Sequence, residues 1–323
     1  MPEFRHTLIR ERAAVAASDR VLIDLPNDPL SFLYLTIEAQ QAATGTPASL
    51  AQMLDTVSLI NLTFKGASSL TITGRDAAVL AAMHGWGLPV MNNWADLTDQ
   101  RLRIDLPLSL GRFAYRPDEC FPAVNRGDLQ LYIEWAAAFA PLTAVTYTLM
   151  ACELPGAAPE RFMKAVRKTM VAATTGEFRA DLPIANPLLG VLLFSPTVPA
   201  ATALTTTIDK VELLADNVER YIAAARWQQL NAALARRIPL PYAVAGHQHV
   251  ENLTPAYTQN ASTAPGIVSS FIAQYGLVDL DPNRDGQFAL ATAGLASLDL
   301  NITFGDTGAM RYYPLELVQT TRR

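Results

Sequence analysis

The chain repeats itself. Residues 20–38 read RVLIDLPNDPLSFLYLTIE and residues 177–195 read EFRADLPIANPLLGVLLFS, so that Asp24-Leu25-Pro26 and Asp181-Leu182-Pro183 coincide at an offset of 157 residues. Each copy has a short strand-like run, a turn held by Pro26 and Asn27 or by Pro183 and Asn186-Pro187, and then a longer apolar run. Later stations recur in the same order. Val57–Phe64 answers to 208–214, and a helix-like stretch follows each, at 75–84 and at 217–236. Leu129–Trp135 and 143–150 close the first half as Leu298–Phe304 and 310–317 close the second. A period above about 150 residues is too long for a solenoid or a propeller blade and implies two successive domains of one fold.

The runs themselves read as antiparallel sheet. From residue 19 onward, β-branched and aromatic runs alternate with Pro, Gly and Asn turns. Residues 101–110 place Leu102, Ile104, Leu106, Leu108 and Leu110 in strict period two, a half-buried strand whose Pro107 suits an edge or a bulge. In Val57–Phe64 the drier face carries Ile60, Leu62 and Phe64. Residues 74–84 are good helix formers with an apolar stripe of Val79, Leu80 and Met83, ended by Gly85-Trp86-Gly87. The expected division is an N-terminal arm at 1–18, helical or flexible, a first sandwich at 19–155, a linker at 156–176 and a second sandwich at 177–323 with a long loop near 238–266. Within the linker, residues 159–170 read as a basic amphipathic helix with Arg161, Lys164 and Lys168 on one face.

Composition limits what such a chain does. Half of its 323 residues are hydrophobic, enough for two cores. A net charge of −5 argues against sequence-specific nucleic-acid binding. No apolar run reaches the roughly 18–20 residues of a membrane-spanning helix, and Arg5, Arg10, Glu11 and Arg12 break the pattern of a signal peptide. Cys120 and Cys152 make no disulfide framework, which points to a reducing cytoplasm.

Three local patterns bear on chemistry. His247, His249 and Glu251 alternate, which on a strand puts two imidazoles and a carboxylate on one face; this is the start of a cupin-like metal motif, but the spacing to Glu251 is short and no histidine follows. Residues 281–286, DPNRDG, match the first half of a calcium loop but lack the closing Glu, because position twelve is Thr292, so a tight turn is expected. Asn61, Asn252, Asn260 and Asn301 open N-x-S/T triplets that matter only in a secreted eukaryotic protein. There is no phosphate loop, no G-x-S-x-G and no cysteine with a histidine partner, so no enzyme and no cofactor is expected. The alternative is a metal-dependent bicupin-like enzyme using His247, His249 and Glu251. A lectin-like pair of sandwiches would need an aromatic platform, whereas Trp86, Trp94, Trp135 and Trp227 are scattered along the chain.

The DLP turn before a long apolar strand in both halves, LTITGRDAAVLAAMHGWG, RLRIDLPLSLGR and DKVELLADNVERYIAAARW together resemble the double jelly-roll major capsid proteins of tailless icosahedral viruses, particularly phages with an internal lipid membrane. The resemblance covers nearly the whole chain from Asp19. It implies an all-β fold of two tandem jelly rolls with short inserted helices. It also implies a homotrimer that mimics a hexagon and tiles a virion shell assembled in the host cytoplasm. The expected partners are neighbouring capsomers, penton and minor capsid proteins, and an internal membrane. Arg5, Arg10 and Arg12 of the arm and Arg161, Lys164 and Lys168 of the linker then become candidates for the face toward lipid or the next capsomer. Deleting residues 1–17 is expected to impair shell assembly more than folding.

Overall fold

Side-chain alternation sets the two faces of each sheet. In β3 (Leu30–Gln41) the odd positions Leu33, Leu35, Ile37 and Ala39 are buried, while Tyr34, Thr36, Glu38 and Gln40 are only half-buried. The computed structural model describes residues 3–42, 48–89, 91, 99–198, 205–219, 222, 224–238 and 272–320. These fall into two units, one within Met1–Met163 together with Ile238 and Thr320, the other within Lys164–Arg237 and Ser270–Gln319.

Unit 1 adds to β3 the strands β1 (Arg5–Ala14), β2 (Arg20–Asp24), β4 (Val57–Phe64), β5 (Ala67–Ile72), β6 (Arg101–Ser109), β7 (Leu129–Trp135) and β8 (Leu142–Glu153). They form two sheets in the orders β1-β8-β3-β6 and β2-β7-β4-β5. Register lines up the core. Leu106, Leu35 and Leu149 form one cross-strand row, and Ile23, Leu131, Leu62 and Leu70 form another, all of them buried. Consecutive strands alternate between the sheets except at the β4–β5 hairpin, so neither sheet can form without the other. This is the eight-strand jelly roll.

Unit 2 repeats the order. Its strands are β10 (Lys168–Ala172), β11 (Gly176–Asp181), β12 (Leu188–Phe194), β13 (Ile208–Ala215), β14 (Val218–Glu219), β15 (Ala225–Arg226), β16 (Tyr275–Asp279), β17 (Leu298–Phe304) and β18 (Gly308–Gln319), preceded by β9 (Arg161–Val166) where the chain passes between units. The sheets run β16-β12-β18-β10 and β11-β17-β13-β14, with β15 also on β13. Counting from β10, and taking β14 and β15 together as the fifth strand, the orders are 1-8-3-6 and 2-7-4-5, as in unit 1. The core joins Val191 and Leu193 to Val211, Leu213, Leu300, Ile302 and Phe304.

The two units share smaller devices as well. The β4–β5 hairpin turns at Lys65-Gly66 and the β13–β14 hairpin at Asp216-Asn217, each pair at positive φ, as a two-residue turn between twisted strands demands. A helix then covers the sixth strand. In unit 1, α2 (Gly74–Met83) lies on β6, capped by the Thr73 hydroxyl and buried on every side except Arg75. In unit 2, α3 (Trp227–Arg237) lies on β16, and a Cβ at Gly276 would stand 3.0 Å from Leu230 Cβ and 3.1 Å from the Trp227 ring, so only glycine admits the helix this close. Between β3 and β4, α1 (Leu50–Asp55) starts with a Ser49/Gln52 capping box.

Three expectations are corrected. The arm at 1–18 is neither helix nor free: residues 5–14 are β1, paired with β8, because Thr7, Ile9 and Ala13 alternate on its half-buried face. Residues 159–170 hold no basic helix but the strand β9 (Arg161–Val166) and the start of β10 (Lys168–Ala172). Phe162, Met163 and Ala165 are buried in β9, and Met170 pairs with Met310 in β10, so the spacing that places Arg161, Lys164 and Lys168 on one helical face has no helix to act on. The helix expected at 217–236 begins at Trp227, since the Asp216-Asn217 turn and β14 use its first residues. Pro107 does sit on an edge strand, β6.

Candidate functional site

The outer face of β1-β8-β3-β6 departs from the usual sandwich pattern. Phe32 points outward with Tyr34, yet only 1% of it is exposed. Other rings cover it: Trp86 at 4.7 Å, Tyr34 at 5.1 Å, Tyr115 at 5.3 Å and His6 at 6.2 Å between centroids, most of them edge to face. Phe4 extends the cluster, 5.6 Å from Tyr115 and 5.8 Å from His6. These rings come from the start of β1, from β3, from the end of α2 and from the β6–β7 loop, and only the 1-8-3-6 strand order gathers them.

Tyr115 is held rather than draped. It stands at φ 58°, uncommon for a residue with a side chain, and its N–H donates to Ser31 Oγ at 2.8 Å. Its hydroxyl lies 3.4 Å from His6 Nε2. Burial, and then the nearby Cys152, push the phenol up from its ordinary value. With Glu3, Phe4, Pro117 and Leu154, Tyr115 lines a recess of about 380 Å³. Phe4 is 65% exposed, Leu8 53% and Tyr115 46%, apolar side chains at and beside the edge strand β1 of the kind that mark interaction sites. Beneath the rings, Cys152 pairs with His6 and with Phe32 across the sheet, and burial pushes its thiol up to about 11. Cys120, also buried and unpaired, is pushed up to about 12, again first by burial.

Two buried carboxylates, Glu153 and Glu119, stand close along the chain to Leu154 and Pro117 of the recess. At β1, Arg5 donates to the buried Glu153 at 2.6 Å and to Asp28 at 2.8 Å, and the Thr7 hydroxyl also donates to Glu153. In the β6–β7 loop the fully buried Glu119 accepts from Arg112 N at 2.7 Å, Nε at 2.8 Å and Nη2 at 2.7 Å. Gly111 makes this approach, because a Cβ there would stand 2.3 Å from Glu119 O. Arg161 Nε lies 3.4 Å from Glu119 Oε2, an ion-pair distance without hydrogen-bond geometry, and Arg161 Nη2 is 3.6 Å from Asp118. Burial alone would push the Asp118 carboxyl up, but the hydrogen bond from Arg116 and the charges of Arg116 and Arg161 outweigh it and hold it below the usual range.

The basic residues singled out in the sequence are dispersed. Arg5, Arg10 and Arg12 lie along β1, with Arg12 3.7 Å from Glu38. Lys164 pairs with Glu316 at 3.0 Å and Lys168 donates to Asp181 O at 3.0 Å, both within unit 2. His247, His249 and Glu251, with nearly all of the long loop at 238–266, lie outside the described residues. Among those described, no group of three His, Cys, Asp or Glu is placed to hold a metal ion, and no helix is long and apolar enough to cross a membrane. Residues 281–286 form a turn in which Asp281 Oδ1 accepts from Gly286 N–H at 2.7 Å. Of the tryptophans, Trp86 joins the ring cluster while Trp135 and Trp227 are buried.

No protein-family model matches the sequence, and a search of curated proteins finds no relative. Solved structures do match over nearly the whole chain. The crystal structure of the major capsid protein of bacteriophage PM2 aligns with a TM-score of 0.61 at 11% identity, covering 99% of both chains. A chain of the atomic structure of Sulfolobus Turreted Icosahedral Virus aligns at 0.66 and 12%, covering 98% of this chain and 91% of that one. The PBCV-1 virus capsid aligns at 0.61 and 12%, covering 98% and 94%. The fold is therefore the double jelly roll found in those viral capsid structures.

Proposed function

We propose that the chain is the major capsid protein of a tailless icosahedral virus, a structural protein rather than an enzyme. The observation that carries this reading is the 1-8-3-6 and 2-7-4-5 strand order occurring twice in one chain whose full length follows the fold of viral capsid proteins. Three copies of a chain with two similar units supply six similar wedges about a threefold axis. Such a trimer packs as a hexagonal tile while obeying closed symmetry. In this reading the trimers form pseudohexameric capsomers that join neighbouring capsomers, penton and minor capsid proteins in the virion of a phage, after synthesis in the host cytoplasm. Arg5, Arg10 and Arg12 on β1 are the cations that unit 1 turns toward an acidic lipid surface or the next capsomer. Arg161 and Lys164, their side chains 31% exposed against 57% for Arg5 and 68% for Arg12, contribute less, and Lys168 is tied to Asp181 O.

Light scattering on the purified chain tests the reading. The expected mass is that of three 35.0 kDa chains, with hexagonal particles or arrays in electron micrographs at high concentration. A monodisperse monomer that forms no assembly at any concentration would overturn it.

A further inference from the structure

We propose that Lys164 and Asn186 join in an intramolecular isopeptide bond, formed with Glu316 as the proton-transfer group and with loss of ammonia. The duplicated fold holds the constellation twice. In unit 1, Leu30 lies opposite Glu153 at the end of the β3–β8 pairing, and in unit 2 Leu188 lies opposite Glu316 at the end of the β12–β18 pairing. Just before each leucine the chain reads Asp28-Pro29 or Asn186-Pro187. Each proline carbonyl accepts from the residue after the glutamate, from Leu154 N–H at 2.7 Å and from Leu317 N–H at 2.9 Å. A cation reaches each glutamate from the strand on its other side, Arg5 from β1 and Lys164 from β9. The same three places thus hold Arg5, Glu153 and Asp28 in unit 1 and Lys164, Glu316 and Asn186 in unit 2.

The two sets differ in what they can become. Arg5 Nη2 lies 2.6 Å from Glu153 Oε2 and 2.8 Å from Asp28 Oδ2, so one cationic nitrogen bridges both carboxylates. A guanidinium stays protonated and a carboxylate does not acylate an amine, so unit 1 keeps an ion-pair network. In unit 2 the cation is a lysine, a nucleophile once it sheds a proton, and the third group is an amide with a nitrogen that can leave. Lys164 Nζ is 3.0 Å from Glu316 Oε1, and Asn186 Nδ2 donates to Glu316 Oε2 at 2.8 Å. One oxygen faces the nucleophile and the other the leaving group, each within reach of direct proton transfer.

Position supplies what an unactivated amide lacks. Glu316 is 3% exposed and shares a face of β18 with the core residues Met310 and Tyr312. Asn186 is anchored through its carbonyl, which accepts from the buried Thr292 hydroxyl at 2.8 Å. Holding amine and amide on one carboxylate replaces an encounter in solution by an intramolecular step, with effective concentrations of about 10⁵ M or more. Glu316 takes a proton from the Lys164 ammonium, Nζ adds to Asn186 Cγ, and the carboxyl group returns the proton to Nδ2 as the Cγ–Nδ2 bond breaks. An Nζ–Cγ amide forms and one ammonium ion leaves, with no change of oxidation state. Of the three protons on the lysine nitrogen, one stays on the new amide and two depart with Nδ2. The bond ties β9 to the β11–β12 loop across β18 and restricts the unfolded chain as a disulfide does.

Intact-mass spectrometry of the purified full chain tests the bond. The wild type is expected to be lighter than its sequence by one ammonia, about 17 Da. A proteolytic digest should contain one branched peptide joining Lys164 to Asn186. Lys164→Arg, which installs the unit 1 cation and keeps the ion pair, should restore the full sequence mass. Glu316→Gln should do the same, because the amine then has no base beside it. Circular dichroism checks that each variant folds. A wild type that keeps its full sequence mass after prolonged incubation at neutral pH would overturn the proposal. So would an ammonia loss that persists in Lys164→Arg, since that marks a succinimide at an asparagine and not a link to lysine.

Discussion

Glu119 is a carboxylate without access to water, and Arg112, 2% exposed, holds it through its backbone N–H, Nε and Nη2. Such a pair adds little over an apolar pair of equal volume, but breaking it leaves a buried charge uncompensated, at a cost of about 3–5 kcal/mol. Glu119→Ala should therefore lower the unfolding free energy by about that amount in urea titrations. Combining it with Arg112→Met should recover much of the loss. A single variant costing under about 1 kcal/mol would mean that water reaches Arg112. The pair was not legible in the sequence. Arg112 and Glu119 stand in a polar, turn-rich stretch where charged residues are ordinarily solvated, and the one hint is Gly111, whose missing Cβ lets the loop fold back on itself. The ring cluster was hidden for a different reason: Phe4, Phe32, Trp86 and Tyr115 are far apart along the chain, and strand order, not spacing, brings them together.

At the scale of elements, strands with one wet and one dry face could be read directly. Leu102, Ile104, Leu106 and Leu108 announce β6, and Leu129, Leu131 and Ile133 announce β7, because a sheet with one buried face imposes period two. Elements with charges on both faces misled. β1 carries Arg5, Arg10, Glu11 and Arg12 and buries little, so its composition suits a helix or a tail as well as an edge strand. Its place beside β8 changes what its removal should do. Cutting the chain through Ala14 strips Arg5 and Thr7 from Glu153, a carboxylate 1% exposed, and bares the backbone edge of β8. The truncated chain should melt several degrees lower as an isolated protein, so that folding suffers along with assembly. Adding Glu153→Gln should recover part of the loss, because a neutral amide needs no cation. Unchanged melting after the cut would return residues 5–14 to the role of an arm.

The whole chain places one jelly-roll order twice, and the repeated DLP turn was enough to reveal the duplication because that turn opens the third strand of each unit. What the sequence could not reveal is how strongly copies hold one another, since that depends on surfaces and not on cores. If the native species is a trimer, unfolding to separate chains depends on concentration. Each tenfold dilution then costs the trimer 2RT ln 10, about 2.7 kcal/mol, or about 0.9 kcal/mol per chain. With an unfolding entropy near 2.1 cal/mol/K per residue, a chain of 323 residues should lose about 1 °C in Tm for each tenfold dilution. Over three decades the shift of about 4 °C is readily measured by differential scanning fluorimetry. A Tm independent of concentration, with the mass of a single chain throughout, would instead describe a self-sufficient pair of jelly rolls.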